Sequence, residues 1–135
     1  MDRDQLLEAA WKARENAYVP YSNFKVGAAA LGVDGKVYTG CNIENASYGM
    51  TVCAERTALF KMVSEGCKKF TALAVVGGSD ADGAPCMACR QVMTEFCDSW
   101  DTPVYLSGLG RSKIWTHTVG ELCPLPFVMF EKDKD

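Results

Sequence analysis

Long apolar runs are missing from this sequence: no stretch approaches the ~20 residues needed to span a bilayer, so no membrane helix and no membrane partner is expected. Positive charge is not in excess either. Lys and Arg number 14 against 17 Asp and Glu, a formal net charge of -3. That balance offers no attractive field to a polyanion and argues against nucleic acid as a direct partner. Linkers, internal repeats and low-complexity tracts are absent too, which leaves a single domain over residues 1–135 as the expectation. The polar start Met1-Asp-Arg-Asp-Gln resembles no secretory signal and points to the cytoplasm, where thiols stay reduced. Histidine is nearly absent. His117 is the only one and has no partner at zinc-type spacing, so it reads as a surface side chain rather than a ligand.

What is present is apolar surface and sulfur. At 48% hydrophobic the chain can bury a core without disulfide staples. Leu6, Ala10, Ala13 and Ala17 recur at helical intervals, with Asp2 or Asp4 as a cap and Pro20 as the stop. Residues 26–33 and 36–41 read as strands around Asp34-Gly35, a dipeptide suited to the positive φ angles of a hairpin. A second helix is expected from Cys53 to a Gly66 cap, followed by a buried strand over 70–76. A third helix is expected to start at Pro85 and to bury Val92, Met93 and Phe96. Strands at 103–107 and 114–119 and a charged, frayed tail after Glu131 complete the pattern. The third and fourth strands are joined through a helix and should run parallel. The fold class is α/β, a three-layer α/β/α arrangement with a mixed β-sheet of about five strands and helices on both faces.

The seven cysteines divide by spacing. Cys86 and Cys89 form a C-x-x-C pair, Cys53 lies upstream next but one to Glu55, and Cys41, Cys67, Cys97 and Cys123 have no metal-type spacing. In the first turn of a helix, thiols three apart face the same side and can grip one ion. The exposed N–H groups and positive dipole end there favour thiolate, the form a metal requires. Redox pairs and chance core cysteines share the C-x-x-C spacing, so this pair alone does not decide.

Cys53-Ala54-Glu55-Arg56 adds what the pair lacks. In a regular helix residues two apart diverge by about 200°, so Cys53 and Glu55 can meet one site only off the helix N-terminus. Cys53 is therefore expected at the cap or first position, with a metal between the N-terminal ends of two helices. Three thiolates leave tetrahedral zinc one open position, as in catalytic rather than structural sites. They also leave one net negative charge on the centre, which Arg56 can offset by donating hydrogen bonds to the ligand sulfurs.

Cys53-Ala-Glu55-Arg56 followed by Pro85-Cys86-x-x-Cys89-Arg90-Gln91 resembles the zinc deaminase signature, in the variant with Cys in place of the first His. Three further segments, Pro20-Tyr-Ser-x-Phe24-x-Val26-Gly-Ala, Gly40-Cys-Asn42-Ile43-Glu44-Asn45 and Glu121-Leu-x-Pro-x-x-Phe127, are similar to those of the small homotetrameric cytidine deaminases. The resemblance implies one Zn²⁺ per subunit on Cys53, Cys86 and Cys89, with Glu55 as catalytic acid and base. It implies hydrolytic deamination of free cytidine and 2'-deoxycytidine, a pyrimidine salvage reaction. Asn42 and Glu44 would hold the ribose hydroxyls, Phe24 and a neighbouring subunit's Phe127 would flank the pyrimidine, Ala46 and Tyr48 of another neighbour would line the sugar end, and the Ala54 N–H would meet the base carbonyl.

Without the resemblance both Phe residues read as core, and Asn42 and Glu44 as loop structure. Three positions depart from the family pattern: Ala84 where Ser is frequent, Met87 where Gly is common, and Cys123 where Leu is common. A backbone carbonyl at position 84 could still meet the substrate amine. Two rivals share the zinc constellation, deamination of a cytosine-bearing antibiotic nucleoside and of a polynucleotide. A noncatalytic zinc module would instead need a fourth protein ligand and would have no use for Glu55.

Overall fold

The computed structural model describes residues 1–77 and 85–129. Its elements run α1 (Arg3–Arg14), β1 (Val26–Gly32), β2 (Val37–Cys41), a 3-10 turn (Tyr48–Met50), α2 (Ala54–Ser64), β3 (Phe70–Gly77), α3 (Met87–Phe96), β4 (Pro103–Ser107), β5 (Ile114–Thr118) and α4 (Val119–Leu122). The five strands form one mixed sheet in the order β2-β1-β3-β4-β5. All neighbours are antiparallel except β3 and β4, which run parallel as the intervening helix requires.

Both faces of the sheet are covered. On one, α2, α3 and α4 pack Leu59, Met62, Met93, Val119 and Leu122 against Phe70, Leu73 and Val104. On the other, Leu6, Leu7, Ala10 and Trp11 of α1 cover Ala29, Ala72, Ala74 and Val76. Full burial of each large apolar side chain stabilises the fold by about 1.5–3 kcal/mol. The three-layer expectation is met. No helix among the described residues is long and apolar enough to cross a membrane.

The hairpin turns where expected, with Gly35 at φ +81°. Asp34 fixes that turn by accepting hydrogen bonds from the Tyr38 hydroxyl at 2.6 Å and the Lys36 N–H at 3.0 Å. α1 ends earlier than Pro20 implies. After Arg14 the Asn16 and Ala17 N–H groups turn to the Ala13 and Arg14 carbonyls, and the Tyr18 N–H leaves the helix for the Asn42 carbonyl at 3.0 Å. A tertiary bond thus overrides the local pattern, and Ala17 lies beyond the helix. Asp2 caps α1 in a reciprocal capping box with Gln5. Gly66, at φ +99°, follows the end of α2 as expected.

α3 also differs from the sequence reading. Cys86, not Pro85, forms the boundary: it has extended backbone and its sulfur accepts the Cys89 N–H at 3.5 Å, so it is the N-cap and Met87 is the first helical residue. Met93 is fully buried on this helix, whereas Val92 and Phe96 are only partly covered. The expectations for Ala84 and for the tail after Glu131 lie outside the described residues.

Candidate metal centre

Cys53 is the N-cap of α2, with extended backbone, and Glu55 is the second residue of the helix. The seat of α2 explains how its start is fixed. Gly40 of β2 lies under the first turn so closely that a Cβ there would sit 2.7 Å from the Ala54 carbonyl oxygen and 2.9 Å from Thr57 Cβ, and nearer still to the Ala58 nitrogen. Only glycine lets helix and strand backbones approach this far.

The N-terminal ends of α2 and α3 meet, and with them three sulfurs. Cys53 Sγ lies 3.8 Å from Cys86 Sγ, Cys86 Sγ lies 3.3 Å from Cys89 Sγ, and all three fall within 4.8 Å of one another. Tetrahedral zinc with Zn–S bonds of about 2.3 Å sets its sulfurs about 3.8 Å apart, so the trio fits one zinc ion. Among the described residues this is the only group of three or more His, Cys, Asp or Glu side chains placed to hold a metal. His117 is outside it, in β5 opposite Val104.

The surroundings favour the anion at one of the three sulfurs, Cys53. A hydrogen bond from Cys89, aided by others from Arg56 and Cys86, draws the Cys53 thiol down to about 5 against the opposing effect of burial. The Cys89 thiol, which donates to Cys53 and is itself buried, is pushed the other way. Arg56 Nη2 reaches Cys53 Sγ at 3.6 Å, the contact expected for a group that offsets thiolate charge. Its Nε is buried without a hydrogen-bond partner.

Glu55 is only 5% exposed. Burial, chiefly, lifts its carboxyl to about 7, with the Cys53 thiolate adding to the rise and a hydrogen bond from Cys89 opposing it. A carboxyl beside this sulfur group is placed to hold or release a proton.

A second set of expected residues interlocks beside the centre. Asn42 accepts the Val26 N–H at 2.9 Å and donates to the Phe24 carbonyl at 2.8 Å. Glu44 accepts the N–H groups of Tyr21 and Ser22 at 3.0 and 3.1 Å and also the Ser22 hydroxyl. These bonds hold the Glu44 carboxyl below its usual range, the Ser22 hydroxyl contributing most. Ser22 in turn accepts the Phe24 N–H at 3.0 Å. Each side chain keeps acceptor or donor capacity for a hydroxyl group. Tyr21, Ser22, Glu44, Tyr48 and Thr51 line a cleft of about 350 Å³. Ala46 lies on the same exposed loop.

Phe24 and Phe127 are 50% and 71% exposed, and Tyr48 77%, so the core reading of the two Phe residues is overturned. Ala54 is fully buried as the first residue of α2, where helical N–H groups lack intrahelical acceptors. Cys97 and Cys123 are buried as small apolar groups, while Cys41 is half-buried. Met87 is 63% exposed at the start of α3. Sequence reasoning missed Gly40, since nothing in the pattern of β2 signals a helix overhead, and it missed the Tyr21–Ser22 grip on Glu44.

The profile described as the cytidine and deoxycytidylate deaminase zinc-binding region matches residues 1–102. The chain is 54% identical to a cytidine deaminase of Sporosarcina psychrophila over 94% of this chain and 92% of that one. It is 57% identical to a cytidine deaminase of Halalkalibacterium halodurans over 94% and 95% of the two chains. The crystal structure of the cytidine deaminase from Burkholderia pseudomallei superposes with a TM-score of 0.88 at 50% identity, covering 94% of this chain and all of that one. With three sulfurs spaced for one zinc ion, a buried carboxyl at their side and this likeness along nearly its whole length, the chain belongs to the cytidine and deoxycytidylate deaminase family.

Proposed function

We propose that the chain deaminates free cytidine and 2'-deoxycytidine to uridine and 2'-deoxyuridine with release of ammonia. The observation that carries this reading is the trio Cys53, Cys86 and Cys89 at two helix N-termini with buried Glu55 beside it, in a chain of this family. Three protein ligands leave zinc one position for substrate chemistry, and bound there zinc supplies a Lewis acid that acidifies water.

The chain's own residues do the rest. Glu55 takes a proton from the attacking water and delivers it to N3 of the cytosine ring as the water oxygen bonds C4, then carries the remaining hydroxyl proton to the amine as the C4–N bond breaks and ammonia leaves. Arg56, at 3.6 Å from Cys53 Sγ, offsets sulfur charge. Asn42 and Glu44 use their remaining hydrogen-bonding capacity on the ribose hydroxyls, and the Ala54 N–H meets the base carbonyl. Phe24 and Phe127 flank the pyrimidine, and Ala46 and Tyr48 line the sugar end.

The exposure of Phe127, Tyr48, Leu125 and Met129, at 71–94%, supports a homotetramer in which Phe127 and Tyr48 reach into neighbouring sites, one zinc per subunit. A cytoplasmic location suits seven cysteines in no disulfide. The test is to supply cytidine, deoxycytidine, free cytosine and an antibiotic cytosine nucleoside to zinc-loaded protein, following ammonia and the loss of cytosine absorbance. Turnover of the first two supports the reading. Activity confined to free cytosine or to the antibiotic analogue, or none at all, refutes it.

A further inference from the structure

Beyond α4 the described chain forms no further helix or strand up to residue 129, yet two consecutive side chains of α3 hold the last residue of α4 and the segment after it. Arg90 Nη1 donates to the Leu122 carbonyl at 3.1 Å while its Nε holds the Pro85 carbonyl at 2.6 Å. Gln91 makes a reciprocal pair with one residue. Its Nε2 donates to the Phe127 carbonyl at 2.8 Å, and its Oε1 accepts the Phe127 N–H at 3.0 Å. A further contact from Nε2 to Thr94 Oγ1 at 3.4 Å sets the orientation of the amide.

The planar amide thus grips both backbone polar groups of Phe127, although the ring itself is 71% exposed. Ordering an exposed residue costs conformational entropy, and packing of the Phe127 ring within its own chain offers little to offset it. The grip makes sense if the ring has to be delivered in one orientation to something outside the chain.

We infer that Gln91 is a positioning residue for substrate binding: from two positions beyond Cys89 it clamps the Phe127 backbone, so the metal helix presents the ring toward the base of a nucleoside in an adjoining subunit. The inference rests on the proposed deaminase function. Loss of the clamp leaves the sulfurs in place but lets the ring wander, so it weakens substrate binding more than it slows the chemical step.

Gln91→Met, similar in shape but without either bond, tests this in the full-length zinc-loaded enzyme. KM for cytidine should rise about fivefold to tenfold, the low end of a lost base–aromatic contact because the ring is loosened rather than removed, while kcat stays within about twofold. Zinc per chain should not change, and the Phe127 amide should lose protection from hydrogen exchange. In a Phe127→Ala background the same substitution should change KM less than about twofold, because no ring remains to be placed.

An unchanged KM overturns the inference. So does a parallel loss of kcat and zinc, or an undiminished effect in the Phe127→Ala background, since each marks a merely structural role. Gln91→Glu keeps the acceptor but turns a carboxylate oxygen toward the Phe127 carbonyl. It should also raise KM, and if the Met variant does not fold, a Glu variant with wild-type KM is the overturning result. A wild-type protein inactive on cytidine refutes the functional reading instead, and the exchange measurement then still decides whether the clamp exists.

Discussion

Gly40→Ala is the sharpest probe of how the fold holds the site. The added methyl would lie 2.7 Å from the Ala54 carbonyl oxygen and 2.9 Å from Thr57 Cβ. These are backbone and near-backbone atoms of the first turn of α2, which have no rotamer to give. The Ala58 nitrogen would lie nearer still, so the helix start must move by about 1 Å to restore an ordinary contact. Overpacking of this kind costs about 1–3 kcal/mol. For a chain of 135 residues, 2 kcal/mol corresponds to a fall in Tm of roughly 8 °C.

The moving turn carries Cys53 and Glu55, and a displacement approaching 1 Å at reacting groups can lower turnover by about 10²-fold. We therefore expect Gly40→Ala to lower Tm and reduce kcat about 10- to 100-fold, with weakened zinc retention against a competing chelator. Gly35→Ala is the matched control. Its φ of +81° costs about 1–2 kcal/mol for an added Cβ, but nothing lies within 4 Å of that Cβ, so turnover per folded molecule should hold. A Gly40→Ala protein with the Tm and kcat of the wild type would refute the claim that β2 seats the metal end of α2.

Other substitutions test single links. Glu55→Gln should keep one zinc per chain and lose at least about 10³-fold in kcat, the scale of acid–base catalysis; substantial turnover in the zinc-loaded variant would remove Glu55 from the mechanism. Arg56→Ala takes away the donor at 3.6 Å from Cys53 Sγ and should weaken zinc binding by about 10- to 100-fold, measured by chelator competition. Tyr38→Phe removes the leading cause of the lowered Asp34 pKa. A carboxyl held low in the fold adds stability above its unfolded pKa and loses it as pH falls through the folded value. Denaturation of Tyr38→Phe should therefore depend less on pH below about 4 than that of the wild type, and NMR titration should show the Asp34 pKa rising.

Local chemistry made much of this legible. The divergence of residues two apart on a helix places Cys53 at the start of α2, and the structure makes it the N-cap. The Asp34-Gly35 hairpin, the parallel β3–β4 pair and the C-x-x-C at the start of α3 follow from equally local rules. Errors arose where a distant partner decides. The end of α1 was hidden because the competing acceptor for the Tyr18 N–H, the Asn42 carbonyl, is remote in sequence. The residue-type reading of Phe24 and Phe127 as core failed because apolarity alone does not decide burial, and both rings are exposed. Gly40 carries no local sign of the helix above it. The Gln91 grip on Phe127 joins residues 36 apart in sequence and has no period to betray it.

X-ray absorption at the zinc edge, on protein purified with zinc quantified per chain, tests the central claim most directly. The account predicts one zinc per chain with three sulfurs at about 2.3 Å and a single light-atom ligand completing the tetrahedron. A shell of four protein ligands, or protein that folds and turns over cytidine with no stoichiometric zinc, would contradict it.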